Sequence, residues 1–176
     1  VLEALRFLLK NTGKSGYINE GQARGIGGSG MHGHGYAAMF LAEVYGMTAE
    51  SEEFNTEELK EKLTAAIRVI EHAQCPNGGW NYEPNPSYDE GSVTVTQIQA
   101  LRAARNAGIK VNIKCIDKAV EYINKSTDAS GQTRYSLTSG GHTSFALTAA
   151  GMSVMNFLGQ YNTEKVKKGV DWLSKQ

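Results

Sequence analysis

Cysteine, proline and unbalanced charge are what this sequence has little of. Two cysteines, Cys75 and Cys115, stand among 176 residues, too few for a disulfide scaffold or a cysteine-rich zinc site. Lysine plus arginine and aspartate plus glutamate number 18 each, so the chain lacks the basic character of a nucleic-acid-binding protein. No apolar run reaches the roughly 18 residues of a membrane-spanning helix. We therefore expect two semi-buried thiols, no nucleic-acid partner and no membrane span.

Glycine, by contrast, is abundant, with 20 residues against 3 prolines, which indicates many turns or close helix contacts. Four segments share a small first residue, apolar residues at the second, fourth and fifth positions, and a charged third position. They are 4–9, 66–71, 119–124 and 169–174, and their starts are 62, 53 and 50 residues apart. This pattern predicts amphipathic helices recurring about every 50 residues. An acidic insertion at 50–62 lengthens the first interval and predicts a polar loop running into the next helix.

Three further helical segments are rich in small residues, and the contrast between their apolar and polar faces is weaker. They are 35–46, ending at Gly46; 92–108, ending at Gly108; and 143–159, ending at Gly159. The terminal glycines predict left-handed helix stops. Helix caps are predicted at Ser92 and at Thr143 with Ser144.

The two helix types alternate along the chain, with the amphipathic type first and last. Repeated helix hairpins of this kind describe an all-α protein, either an α/α toroid or an α-solenoid. We expect a single domain over 1–176 with about three hairpins and one further helix. An array of this size leaves apolar hairpin faces open at its ends, so the chain is expected to be a fragment of a longer protein or to form a homodimer.

The sequence AAIRVIEHAQCPNGGW (65–80) resembles the QW repeat of squalene and oxidosqualene cyclases. Ile70, Gln74, Gly78 and Trp80 match that repeat, whereas Ala65 and Val69 replace its basic and aromatic residues; near the carboxyl end, Lys168, Gly169, Trp172 and Leu173 match it. The segments 31–48 and 140–161 are similar to bacterial proteins with prenyltransferase/squalene-oxidase repeats. The resemblance implies an α/α toroid in which Gln74 closes a helix end and Trp80 packs over the turn between hairpins.

The catalytic motifs of the families with this fold are missing. The cyclases use an Asp-x-Asp-Asp acid, and the nearest counterpart here is the pair Asp89-Glu90, whose favoured interpretation is helix-start charge that complements the dipole. The prenyltransferase zinc pair Asp-x-Cys and the thioester Cys-Gly-Glu-Gln are absent. If the chain is an enzyme, the candidate catalytic residues are therefore limited to Asp89, Glu90 and His142.

Several histidine, tyrosine and polar side chains are expected at the mouth of the helical array. The predicted cavity or rim residues are His32, His34, Tyr36, Tyr82, Thr94, Gln97, Tyr135 and His142. Three of the histidines offer a weak alternative as metal ligands, but we expect capping or cavity lining, with no metal and no cofactor. The glycine-rich stretch 25–35 lacks the strand and Gly-Lys-Ser/Thr of a phosphate-binding loop.

Three functions are consistent with these features. The first is a non-catalytic scaffold or binding module, since the acid and zinc motifs are missing. The second is an isoprenoid- or lipid-handling domain whose apolar ligand lies among Met39, Phe40, Phe145 and Met152. The third is a polysaccharide-active toroid that uses the rim residues Tyr82, Tyr88, Tyr135 and His142. A dry apolar cleft favours the second function, and aromatic residues beside a carboxylate favour the third.

Overall fold

A computed structural model describes residues 1–18, 29–48 and 52–176. Within these ranges the chain is all-α, as predicted, with seven helices and no strand longer than an isolated bridge. The helices are α1 (Leu2–Lys10), α2 (Gly30–Met47), α3 (Thr56–Ala73), α4 (Gly91–Asn106), α5 (Ile113–Ser126), α6 (Phe145–Phe157) and α7 (Glu164–Leu173). No helix in the described ranges has the length and apolar character to span a membrane.

The helices form two layers. In one layer α4 lies between α2 and α6, with its most extensive contact against α2. In the other layer α3 packs on α2 and α4, α5 on α4 and α6, and α7 on α6. The first layer is buried on most sides because small residues such as Ala38, Ala42 and Ala100 let its helices approach closely.

The second layer consists of amphipathic helices. In α5 the side chains of Cys115, Ala119 and Ile123 face the core at helical spacing, whereas Lys118 and Glu121 are exposed. This spacing of four residues places one apolar stripe against the first layer. The amphipathic faces predicted from the sequence are the faces that α3 and α5 bury. The prediction was wrong for Phe7 in α1 and Val170 in α7, whose side chains are 57% and 53% exposed.

The same glycine turn precedes α2, α4 and α6. It occupies residues 13–17, 75–79 and 128–132, and in each case the first N–H donates to the fifth carbonyl while the fourth N–H donates to the first carbonyl. The fourth residue is Gly16, Gly78 or Gly131, with φ of 90°, 94° and 87°. A Cβ on each of these glycines would overlap the backbone of the next outer helix, α3, α5 or α7.

Two residues after each glycine, a backbone N–H donates to a side chain in the first or second turn of the inner helix that follows. Ile18 N donates to His34 Nδ1 over 3.2 Å. Trp80 N donates to Thr94 Oγ1 over 2.9 Å. Thr133 N donates to Thr148 Oγ1 over 3.2 Å. We call these three side chains, His34, Thr94 and Thr148, the turn acceptors; all three are fully buried.

Two of the three predicted glycine stops are confirmed. Gly108 and Gly159 have φ of 82° and 79°, and the residue after each donates back to the last turn of its helix over 2.9 and 2.8 Å. The prediction for Gly46 was wrong. Helix α2 continues to Met47, and a side chain at Gly46 would press on Ala107 at the end of α4.

Of the predicted helix caps, the one at Ser144 is confirmed and the one at Ser92 is wrong. Ser144 caps α6 by accepting from Leu147 N over 3.2 Å, as expected. Ser92 does not cap α4, because Glu90 holds that position and accepts from the amides of Ser92 and Val93. A carboxylate two residues earlier therefore replaces the predicted hydroxyl.

The effect of the close contact at a turn glycine on the free energy of unfolding can be measured separately from the effect of its left-handed conformation. Gly78 and Gly108 share a positive φ, but a Cβ at Gly108 meets open space whereas one at Gly78 strikes the carbonyl of Lys118. Gly108→Ala should cost about 1–2 kcal/mol of unfolding free energy. Gly78→Ala should cost about 1–3 kcal/mol more because α5 must move. Urea unfolding of both variants tests this, and equal losses would contradict the contact.

Candidate functional site

A cleft of about 400 Å³ opens where the amino-terminal ends of α2, α4 and α6 meet. Its walls are formed by His32, Tyr36, Ser92, Val95, Tyr135, His142, Ser144, Ala146, Leu147 and Ala150. Four of the predicted rim residues, namely His32, Tyr36, Tyr135 and His142, are thus brought together. The cleft is mixed in character, with aromatic rings, imidazoles and hydroxyls above a floor of small aliphatic side chains.

Tyrosines in the inter-helix loops are fixed to the helix starts through their main chains. The carbonyl of Tyr82 accepts from Met31 N over 3.0 Å, and that of Tyr135 accepts from Gly91 N over 2.6 Å. The two hydroxyls bond to each other. The hydrogen bond with Tyr82, together with burial, raises the pKa of Tyr135 well above its ordinary value, so this phenol is protonated at neutral pH.

Aromatic rings form the rim of the cleft. Tyr135 and His142 are stacked, with centroids 5.8 Å apart and planes inclined by 14°. Tyr82 lies 5.9 Å from the ring of His32 and 6.3 Å from that of Tyr88. His142 and Tyr36 are exposed, so this side of the cleft is open to a ligand.

His32 lies at the centre of a chain of side-chain hydrogen bonds. Its Nδ1 is 2.5 Å from Ser29 Oγ and its Nε2 is 2.9 Å from Ser92 Oγ. Ser92 Oγ donates to Glu90 Oε2 over 2.7 Å. Burial lowers the pKa of His32, with the nearby charge of Glu90 opposing the shift. The imidazole is therefore largely neutral at pH 7.

The adjacent carboxylates Asp89 and Glu90 have different partners. Glu90 caps α4, as the dipole interpretation predicted, and is buried. Asp89 is also buried and accepts from Tyr122 Oη at 2.9 Å, Leu137 N at 2.6 Å, Thr138 N at 3.0 Å, the Thr138 hydroxyl and Asn77 Nδ2 at 2.8 Å. Its lone pairs are occupied and it does not line the cleft, so it is a structural carboxylate.

Three predicted rim residues lie in the interior instead. His34 and Thr94 are turn acceptors, and Gln97 donates to Met31 O over 2.9 Å and to Val93 O over 3.3 Å. All three side chains are fully buried. The sequence pattern identified the helix segments next to the cleft. It did not distinguish the residues of each helix that face the cleft from those that face the core.

The residues that match the cyclase repeat hold the turn between α3 and α4. Trp80 is fully buried and its indole N–H donates to Ile70 O over 2.7 Å, which satisfies a carbonyl in the last turn of α3. Gln74 donates instead to Gly78 O and to Cys115 O over 3.0 and 2.9 Å. The tryptophan therefore closes the helix end, a role that the resemblance assigned to the glutamine.

The second matching stretch makes fewer contacts. Lys168 donates to Ala129 O over 3.2 Å. Gly169 is buried against Gly131, and Trp172 is partly exposed with its ring 6.5 Å from that of Phe145.

The apolar side chains expected to line a greasy cavity do not converge. Met152 is buried beside Gly169, Phe40 is packed against the core, and Phe145 is exposed. Met39 lines a different cleft of about 370 Å³ at the opposite ends of the inner helices, together with Arg102 and other polar side chains. Phe40, Phe145 and Met152 line neither that cleft nor the one at the inner-helix starts.

Within the described residues, no group of three histidine, cysteine or acidic side chains is arranged to hold a metal ion. Comparisons of this chain with protein families, with curated proteins and with solved structures find no match. The resemblance to cyclase and prenyltransferase repeats stays a prediction that these comparisons leave open.

Two members of the hydrogen-bond chain through His32 were not identified from the sequence. Ser29 lies three residues before His32, the helical spacing at which side chains meet. Ser92 lies two residues after Glu90, within reach of a capping carboxylate. These spacings are the signals that point to the hydrogen-bond chain, but each is common in helix starts, so neither identifies it alone.

The turn acceptor His34 should make stability depend on pH. Burial lowers its pKa to about 4 from the ordinary 6.5. Between those values the unfolded chain binds a proton that the folded chain does not, so stability is complete above about pH 7 and falls by about 3 kcal/mol towards pH 4. His34→Thr, which copies the other turn acceptors, should lower stability at pH 7 and flatten this part of the pH profile. Urea unfolding from pH 4 to 8 measures both effects, and an unchanged slope would contradict a buried neutral imidazole.

Asp89 should contribute more to the free energy of unfolding than a surface carboxylate does. Asp89→Asn turns an amide N–H towards the donors and should cost about 2–4 kcal/mol at pH 7. Hydrogen bonds outweigh burial and hold the pKa of Asp89 below its ordinary value, so this loss should shrink as the pH falls through that folded-state pKa. Asp128→Asn is the control, since the Asp128 carboxylate accepts local hydrogen bonds within its own glycine turn, from Ser130 and Gln132. Unfolding at pH 7 and pH 3 compares them, and a similar loss in both would refute the special role of Asp89.

Proposed function

We propose that this chain is part of an α/α toroid of the terpenoid cyclase and prenyltransferase type, and that it acts as a binding module for a carbohydrate. The observation that carries the ligand class is the cleft at the inner-helix starts. It combines the stacked pair Tyr135–His142 with hydroxyl and imidazole groups on its walls.

The toroid is supported by recurring contacts. The same five-residue turn, its left-handed glycine and its turn acceptor occur three times, and each turn lies on the next outer helix. Stacking each unit on its neighbour is how repeat architectures bury a continuous core. A two-layer arrangement of inner and outer helices agrees with the same architecture.

Carbohydrate is favoured over isoprenoid by the chemistry of the cleft. An aromatic face packs against the C–H face of a sugar, and neighbouring polar groups exchange hydrogen bonds with its hydroxyls. His142 and Tyr36 offer such groups, and their side chains make no hydrogen bond within the described part of the chain. An isoprenoid needs a continuous apolar wall, whereas Met39 lines the other cleft, Phe40 is packed against the core and Phe145 is exposed.

Binding to defined oligosaccharides tests this function. Isothermal titration with neutral and acidic hexasaccharides should find at least one ligand with a measurable Kd. Tyr36→Ala and His142→Ala should each weaken that binding about tenfold or more, because each removes a wall of the cleft.

Tyr161→Ala is the matched control, since Tyr161 is as exposed as Tyr36 but lies outside the cleft. Equal weakening by the control, or no binding by any oligosaccharide, would count against the proposal. If the chain binds farnesol but none of the oligosaccharides, that result would support the isoprenoid function instead.

A further inference from the structure

We propose that Ser29 is a nucleophile activated by His32, and that this pair transfers acyl groups from small esters to water. The inference goes beyond carbohydrate binding and does not depend on it. It rests on a chain of hydrogen bonds that links four side chains in the order Ser29, His32, Ser92 and Glu90, over 2.5, 2.9 and 2.7 Å.

The donor and acceptor in each hydrogen bond follow from Glu90, the residue at the end of the chain. Glu90 is an anion that only accepts, so Ser92 Oγ donates to it over 2.7 Å. Ser92 has one hydroxyl proton, so its oxygen accepts from His32 Nε2–H. The neutral imidazole then presents a lone pair at Nδ1, and Ser29 Oγ–H donates to it. This is the arrangement in which a base accepts the proton of a serine nucleophile and is itself oriented by a further group.

The position of Ser29 suits the reaction. Ser29 is the N-cap residue of α2, yet its side chain accepts no hydrogen bond from the first turn of that helix. Met31 N in that turn donates to Tyr82 O, and the other amides of the turn carry the partial positive charge of a helix start. Such N–H groups stabilise the oxyanion that forms when a carbonyl is attacked. His32 lines the cleft whereas Ser29 does not, and both side chains are partly exposed, so a small ester can reach the pair from solvent.

The proposed step is balanced in atoms and charge. Ser29 Oγ forms a bond to the ester carbonyl carbon while its proton moves to His32 Nδ1. Collapse of the tetrahedral intermediate breaks the C–O bond, and the leaving alkoxide takes the proton from Nδ1. Water then attacks the acyl-serine with the same base, which releases the carboxylic acid and restores Ser29. Ser92 and Glu90 are positioning residues, since they reach the reacting atoms only through the imidazole.

Two measurements test the pair on the full chain. A fluorophosphonate probe followed by peptide mass spectrometry should place an adduct on Ser29 in the wild type. Hydrolysis of 4-nitrophenyl acetate should fall about a hundredfold in Ser29→Ala and in His32→Gln. Ser174→Ala, which changes an exposed serine at the end of α7, should react like the wild type.

A thiol at the same position reports on the base directly. Ser29→Cys should react with iodoacetamide at least about tenfold faster than Ser29→Cys combined with His32→Gln, because the imidazole favours the thiolate. The native thiols contribute little background, since burial raises the pKa of Cys75 to about 11 and that of Cys115 to about 12.

Each outcome decides the proposal. An adduct on Ser29 that requires His32, with the matching losses of hydrolysis, supports it. No adduct, an adduct on another serine, or labelling of Ser29 that is unchanged in His32→Gln overturns it and leaves the four side chains as a cross-link between α2 and α4. Circular dichroism confirms that each variant is folded. Failure here leaves the sugar titration unaffected, so the two proposals fail separately.

Discussion

The buried carboxylate of Asp89 is the interaction on which the middle of this structure depends. It accepts hydrogen bonds from the glycine turn through Asn77, from α5 through Tyr122, and from the following loop through Leu137 and Thr138. A buried charge is tolerable only when its lone pairs are satisfied. The three segments must therefore be in place together, which couples the folding of one hairpin to the next.

The same carboxylate also sets the geometry of the cleft. Because Asp89 is held from several sides, the next residue, Glu90, starts α4 at a defined point and directs its own carboxylate at Ser92. Ser92 in turn meets His32 on α2. A structural residue with no access to the cleft thus determines where the titratable groups of the cleft lie.

Much of the fold follows from local sequence signals. The amphipathic faces of α3 and α5, the glycine stops at Gly108 and Gly159, and the cap at Ser144 depend on neighbouring residues, which a single sequence displays. The stop at Gly46 failed because Gly46 lies against Ala107, a tertiary contact. The cap at Ser92 failed because the nearby carboxylate of Glu90 occupies the cap instead.

The candidate site was predictable only in part for a related reason. Helix starts near the mouth were recognised, but His32 and His34 look alike in sequence and differ in which side of α2 they occupy. One lines the cleft and the other accepts a backbone N–H from Ile18 in the core. Long-range pairs such as His32 with Ser92 have no signature in a single chain.

The backbone contacts at the turn glycines have a consequence for divergence of this fold. No side chain separates Gly16, Gly78 or Gly131 from the next outer helix, so the distance between successive hairpins is independent of side-chain volume there. The main chain alone then sets how closely each turn approaches α3, α5 or α7. Outward-facing residues of these helices are free to change in size and charge without altering that approach.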